Sequence, residues 1–507
     1  MRKFSPNIFL NLSQYIETNM KSRLILPFFI SLSLFTLSQV ATAQSVRKQT
    51  QVAIVSVNDV HAEMQRFPRF AYIVDSLRTI YPDLLLFSAG DLQSGNPIND
   101  QYKPKGYPII ALMNALGFNL SAVGNHEFDV GPERFAEITK EAMFPFLSAN
   151  IFPSKEWKGH IKPYTILTLS NGIKVAVFGG VEIGSGGIPS THPARIKDFS
   201  FRPMREMVEQ FRPLKDSANL VVMLTHLGVE EDKYIASLNP WIDLIVGGHS
   251  HTYINGKLEV NGVAITQSQN KLKHCALTLV TLDESGKPID IKIHSFEIDQ
   301  AHGQESAVYR LAVDLFGNNP IFQEKLSQAE DHFTNPTELG YLMCDAMREE
   351  AQADFAFHNH GGVRSSNLLK GPISVLDVYT MDPFGNELMK VELSVEEIKS
   401  FLRYCWIREG EKPMLCSGVK IAYTISKDRK LTSIELYTPD GKLLDNNRRY
   451  KVAYNSYIDA SYPFDHVQPA SSVGCTSADA LIHYLRRQKS VPSYRGQIRY
   501  RVSMEME

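Results

Sequence analysis

Five short apolar runs each break off into a turn that carries Asp, Asn or His. VAIVSV (52–57) runs into Asn58-Asp59-Val60-His61 and LLLFSA (84–89) into Gly90-Asp91. LSAV (120–123) runs into Gly124-Asn125-His126-Glu127, VVML (221–224) into Thr225-His226, and DLIV (243–246) into Gly247-Gly248-His249-Ser250-His251. Apolar runs alternating with polar helical stretches, from Gln51 to about Gln300, are the pattern of an α/β or layered domain. Ligands of open α/β sheets gather at the carboxyl ends of the strands. The order of the motifs therefore predicts that Asp59, His61, Asp91, Asn125, His226, His249 and His251 meet at one edge. In D-x-H and H-S-H the two side chains are two apart, so on an extended strand or a tight loop they lean the same way. Glycines at 90, 124, 247 and 248 fit tight turns where a side chain would crowd the site.

This donor set has a chemistry of its own. Seven nitrogen and oxygen ligands without a thiolate are too many for one tetrahedral ion, and suit two divalent cations that share a carboxylate. Any one motif alone reads as an ordinary strand end, and with 15 histidines in the chain His by itself decides nothing. The weight lies in the ordered set. Composition narrows the rest. At 507 residues, with 43% hydrophobic and 21% charged residues, the chain suits a globular protein of two or three domains at roughly 150 residues each. That excludes a disordered chain, a fibre and a multi-span membrane protein. A net charge of −2 gives no support for a nucleic-acid polymer as partner, and is compatible with a monomer.

The set NDVH, SAGD, GNHEFDVG, THLG and GGHSH resembles the calcineurin-like metallophosphoesterases, and within them the secreted 5′-nucleotidase and UDP-sugar hydrolase family, over about residues 50 to 500. The resemblance implies an α/β (α+β layered) fold. It consists of a four-layer β-sandwich flanked by helices over residues 50–300 and a smaller C-terminal α/β substrate-binding domain over 326–507. It implies Asp59, His61, Asp91 and His251 as ligands of a first metal, Asp91, Asn125, His226 and His249 as ligands of a second, and Asp91 as the bridge. Two such cations supply hydroxide at neutral pH and orient an in-line attack on phosphorus. His126, next to Asn125, is the candidate for stabilising the transition state or protonating the leaving oxygen. Asp129, three residues on, can hold its ring in one tautomer, and the two match the family's catalytic dyad. Glu127 reads as a supporting or packing residue. The donor set accepts Zn, Mn, Co or Fe.

A helix expected from Gln304 to Phe316, stopped by Gly317-Asn318-Asn319-Pro320, makes residues 301–325 a linker and, by the resemblance, the hinge that swings the second domain. Beyond it FHNHGGVR (357–364) sets Arg364 beside a glycine turn, as a bidentate phosphate contact requires. MDPFGNELM (381–389) offers Phe384 for stacking on a base and Asn386 for reading its edge, and YNSYIDASYPF (454–464) brings Tyr457, Asp459, Tyr462 and Phe464 near a turn. The family's phosphate-contact stretch matches Asn359, Gly361, Gly362 and Arg364, and its stacking segment matches Phe384 and Asn386. Tyr457 stands near the place of its second aromatic. Two departures are visible: 326–340 holds no arginine, and the glycines of the family's second aromatic turn are absent.

At the N-terminus, Lys21 and Arg23, the apolar run Leu24 to Val40 and Ala41-Thr42-Ala43 are the parts of a secretory signal cleaved after Ala43, with the start at Met1 or Met20. Residues 1–43 are thus expected to be lost, leaving a secreted or periplasmic protein with no stable membrane span. Export permits disulfides, but the five cysteines are odd in number, so at least one stays free. The expected activity is hydrolysis of nucleoside 5′-phosphates, in nucleotide catabolism. The alternatives are 2′,3′-cyclic nucleotides, UDP-sugars or phosphomonoesters at large, and, in another class, a non-catalytic metal-dependent binding protein of the envelope.

Overall fold

Strands that are apolar at every position must be covered on both faces, and that requirement sets the architecture. The computed structural model describes residues 50–505 apart from 155, 156, 158, 185, 302 and 303; the signal segment lies outside the described residues. A seven-stranded sheet runs Pro288–Glu297, His274–Leu282, Thr50–Val57, Leu85–Ser88, Leu120–Ala122, Phe146–Leu147, Ile161–Lys162. A six-stranded sheet runs Leu258–Val260, Val263–Thr266, Leu244–Val246, Leu220–His226, Lys174–Val181, Tyr164–Thr168. The two pack face to face. Val52, Ile54, Leu85 and Phe87 of the first meet Val177, Val222, Leu224 and Val246 of the second in one buried cluster. The alternate residues face outward: Val55, Val57 and Leu86 pack under the helices Phe67–Ile80 and Tyr107–Leu116, and Phe178, Met223 and Ile245 under Val229–Leu238 on the other side. Helix, sheet, sheet and helix make the four layers.

This is the four-layer β-sandwich that the family resemblance implies. The five motif-bearing strands come three from one sheet and two from the other. They still share one edge, because both sheets run parallel through their centres.

The helix after the sandwich spans Ala307–Gly317 and ends at the expected stop. Tyr309, Ala312 and Val313 are buried in the first domain's core, with the Tyr309 ring 5.6 Å from Phe67. The second domain is built on a five-stranded mixed sheet, Leu415–Ser417, Phe355–His358, Tyr450–Asn455, Glu387–Leu393, Ser471–Thr476. Helices Pro336–Glu350 and Ser477–Arg487 cover one face and Val395–Arg408 the other. YIDASYPF does not form a turn: Ser456–Ser461 is a short helix capped by the Asn455 side chain. All five thiols are free, four of them buried. No helix among the described residues is long and apolar enough to cross a membrane.

Candidate active site

The loops after the strands are pinned to one another before any side chain is considered. Asp59 N donates to Gly90 O at 3.0 Å, His61 N to Asp91 O at 2.8 Å and Lys271 N to Asp59 O at 2.8 Å. Asp59, His61, Asp91, His249 and His251 all adopt positive φ, between 47° and 77°. For non-glycine residues this conformation costs energy and persists where the surroundings enforce it. The tight-loop form, not an extended strand, is therefore what brings the residues of D-x-H and H-S-H together. Two glycines are needed for close approach: a Cβ at Gly124 would lie 2.2 Å from Asp91 Oδ1, and one at Gly248 2.6 Å from Ala89 O.

The seven expected ligands converge. Asp59, His61 and His251 offer donor atoms within 4.8 Å of one another, as do Asp59, Asp91 and His226. His249 Nδ1 is 3.1 Å from Asn125 Oδ1, and its backbone N donates to Asp59 at 3.0 Å. The set fits divalent cations on its own geometry. His226 Nδ1 donates to Ala89 O at 2.7 Å, which leaves the Nε2 lone pair pointing inward. That atom is buried, 3.0 Å from Asp91 Oδ2, and makes no hydrogen bond among the described residues. The His61 and His251 Nε2 atoms face each other at 3.2 Å. Burial lowers the His226 pKa, but the Asp91 and Asp59 carboxylates outweigh it and raise it to about 10, so the two carboxylates favour a positive charge at the His226 ring.

His126 lies against this cluster. Its Nδ1 is 2.6 Å from Asp129 Oδ2, and its backbone N donates to Asp91 Oδ1 at 2.9 Å. Burial opposes its charge, but Asp129 and Asp91 prevail and raise its pKa. Asp129 is itself buried, which would raise its pKa, yet His126, Arg195 and Ser94 hold it below the usual carboxylate range. Several partners here were not among the expected site residues. Ser94 Oγ donates to Asp129 at 2.7 Å, Thr191 Oγ1 at 3.3 Å and Arg195 Nη1 at 3.0 Å. Glu127 does more than pack: fully buried, it accepts from the backbone N of Asp91 (3.0 Å), Leu92 (2.5 Å) and Gly124 (2.5 Å). Burial and the neighbouring Asp91 push it up to about 7.

Above the cluster lies a cavity of about 240 Å³. Asp91, Asn125, His126, Asp129, His249 and His251 form one wall, and Asn359, Gly362, Arg364, Phe384, Asn386 and Tyr457 the other. Asp59, His61 and His226 lie buried beneath. Arg364 reaches across to 3.2 Å from His61 Nε2, Phe384 lies near-parallel to the His126 ring at 5.9 Å, and Asn359 Oδ1 is held by Asn455 Nδ2 at 3.0 Å. Of the aromatic residues in 454–464 only Tyr457 faces the cavity. Tyr462 is buried with its hydroxyl on Glu409, and Phe464 packs on Phe401 at 5.1 Å.

A sandwich with a clustered His/Asp/Asn centre at its strand ends defines a metal-dependent phosphoesterase. The comparisons agree: residues 52–253 match the family model for calcineurin-like phosphoesterase, and residues 318–461 that for the 5′-nucleotidase C-terminal domain. The chain thus carries a calcineurin-like phosphoesterase domain followed by a 5′-nucleotidase C-terminal domain, and is a metal-dependent phosphoester hydrolase. The trifunctional nucleotide phosphoesterase protein YfkN of Bacillus subtilis is 25% identical over 88% of this chain, which spans only 35% of that protein. Protein UshA of Yersinia enterocolitica is 25% identical, with 88% of this chain and 93% of its own length covered. The crystal structure of a 5′-nucleotidase precursor from Thermus thermophilus shares the fold, with a TM-score of 0.78 at 24% identity over 90% of this chain and 100% of that one.

Proposed function

We propose that the enzyme hydrolyses nucleoside 5′-phosphates to nucleoside and phosphate, with Asp59, His61, Asp91 and His251 holding one divalent ion and Asp91, Asn125, His226 and His249 a second. Ions bound there neutralise phosphate charge and lower the pKa of water. Arg364 binds the phosphate from the other side through its guanidinium fork. His126, with Nδ1 fixed on Asp129, presents Nε2 to the reacting phosphate and moves a proton to the leaving oxygen. Phe384 and Tyr457 offer faces for a base and Asn386 an amide for its edge. The observation that carries this reading is that one cavity joins the donor cluster to Arg364, Phe384, Asn386 and Tyr457.

A substrate panel tests it: phosphate release from AMP, UDP-glucose, 2′,3′-cyclic AMP and p-nitrophenyl phosphate by the purified protein with Mn or Zn. AMP should give the highest kcat/KM. Preference for p-nitrophenyl phosphate would favour the broader phosphomonoesterase, a reading supported by the absence from 457–464 of the glycines that the resemblance would place there. We also propose export, on Lys21, Arg23, the run Leu24 to Val40 and Ala41-Thr42-Ala43. The N-terminal residue of the mature protein should then be Gln44, and a retained Met1 or Met20 would refute it.

A further inference from the structure

Arg195 sits on the short turn Pro193–Arg195 of the first domain and donates in two directions. Its Nη1 donates to Asp129 Oδ1 at 3.0 Å and its Nη2 to the Phe384 carbonyl, on the second domain, at 3.2 Å. The Phe384 ring returns to His126 at 5.9 Å, and His126 Nδ1 to Asp129 Oδ2 at 2.6 Å. The four residues thus close a circuit across the cleft. The same strap adds Thr191 Oγ1 to Asp129 at 3.3 Å and takes Asn125 Nδ2 on the Ser190 carbonyl at 3.1 Å. With no arginine in 326–340, the guanidinium groups lining the cavity among the described residues are Arg195 from the first domain and Arg364 from the second.

We propose that Arg195 is a positioning residue that ties the His126–Asp129 pair to the Phe384 loop, so that alignment of the pair depends on the second domain being docked. Held on one side by the Phe384 carbonyl, Arg195 fixes the Asp129 carboxylate through Oδ1, the oxygen that His126 does not engage and that Thr191 also meets. Asp129 in turn fixes the His126 ring. When the second domain moves away, Arg195 loses one of its two anchors and the pair, though still met by Ser94 and Thr191, loses part of its alignment, and small misplacements of catalytic groups cost large factors in rate.

The inference rests on the reading of His126–Asp129 as the catalytic pair, and the test separates the two. His126→Ala is measured first on the metal-loaded enzyme with AMP and p-nitrophenyl phosphate; if it retains turnover, that reading fails whatever Arg195 does. Then Arg195→Ala, Arg195→Lys, Asp129→Asn and the double variant Asp129→Asn/Arg195→Ala are compared, with metal content and Tm as controls. Arg195→Ala should lower kcat about tenfold to a hundredfold with both substrates, with KM within about threefold and metal content unchanged. Arg195→Lys should recover part of the loss. In the Asp129→Asn background, Arg195→Ala should cost less than about threefold, because its effect passes through Asp129. An equal loss in both backgrounds, or a loss confined to KM, would assign Arg195 to direct contact with the substrate and overturn the proposal; an unchanged kcat would overturn it too. If Arg195→Ala lowers Tm, Arg195→Lys carries the same comparison in both backgrounds.

Discussion

At the scale of single residues the account turns on His126. It touches the donor cluster through its backbone and Asp129 through its ring, so His126→Ala should lower turnover about a hundredfold or more with bound metal retained; loss of metal instead would make it a ligand. Gly124→Ala places a methyl group 2.2 Å from Asp91 Oδ1, so metal content and activity should fall together, and a fully metallated, active variant would contradict the placing of Asp91. Glu127→Ala leaves three buried backbone N–H groups without an acceptor, which should destabilise the protein by roughly 3 kcal/mol or more, read as a drop in Tm. The ligand residues were legible in the sequence because donor type and strand end coincide at Asp59, Asp91, Asn125, His226 and His249. Ser94, Thr191 and Arg195 were not, because they meet Asp129 across 35, 62 and 66 residues. Nothing local distinguishes such a residue from a surface one.

At the scale of elements, the strands were legible in the residues themselves, whereas their division between two sheets was legible only through the family resemblance. Residues 52–57 and 220–224 are buried at every position and apolar at all but Ser56 because both faces are covered, and a continuous run carries no mark of which sheet it joins. The linker helix ended where its Gly-Asn-Asn-Pro signal said. Its burial against Phe67 was hidden, because the partner lies far back in the chain. The helix Ser456–Ser461 had a local signal in Asn455, a favoured N-cap residue, which the aromatic pattern of YIDASYPF masked. The loop bearing Phe384 is where base recognition is expected to sit. Phe384→Ala should raise KM for AMP about tenfold, the worth of one lost stacking contact, and change that for p-nitrophenyl phosphate far less. Equal effects on the two would leave Phe384 a packing residue.

At the scale of the molecule, the arrangement seen is one in which the two domains meet over the donor cluster, with Arg364 against His61 and Arg195 against Phe384. Because Ala307–Gly317 belongs to the first domain's core, a pivot is expected after it, over 318–324, narrower than the 301–325 segment suggested by sequence. The turn Pro193–Arg195 lies against the helix Ser456–Ser461 across the cleft. A disulfide engineered between them should cut steady-state turnover about tenfold or more, with recovery on reduction, whereas full activity in the oxidised form would remove the hinge from the account. The central claim is that this fold gathers seven side chains from two sheets around divalent ions that make it a phosphohydrolase. Its most direct test is metal analysis of the purified protein together with phosphate release from AMP before and after chelation. The account predicts about two bound ions per chain, activity lost with them and restored by Mn or Zn. A protein that binds no divalent ion, or that releases phosphate equally well without one, would contradict it.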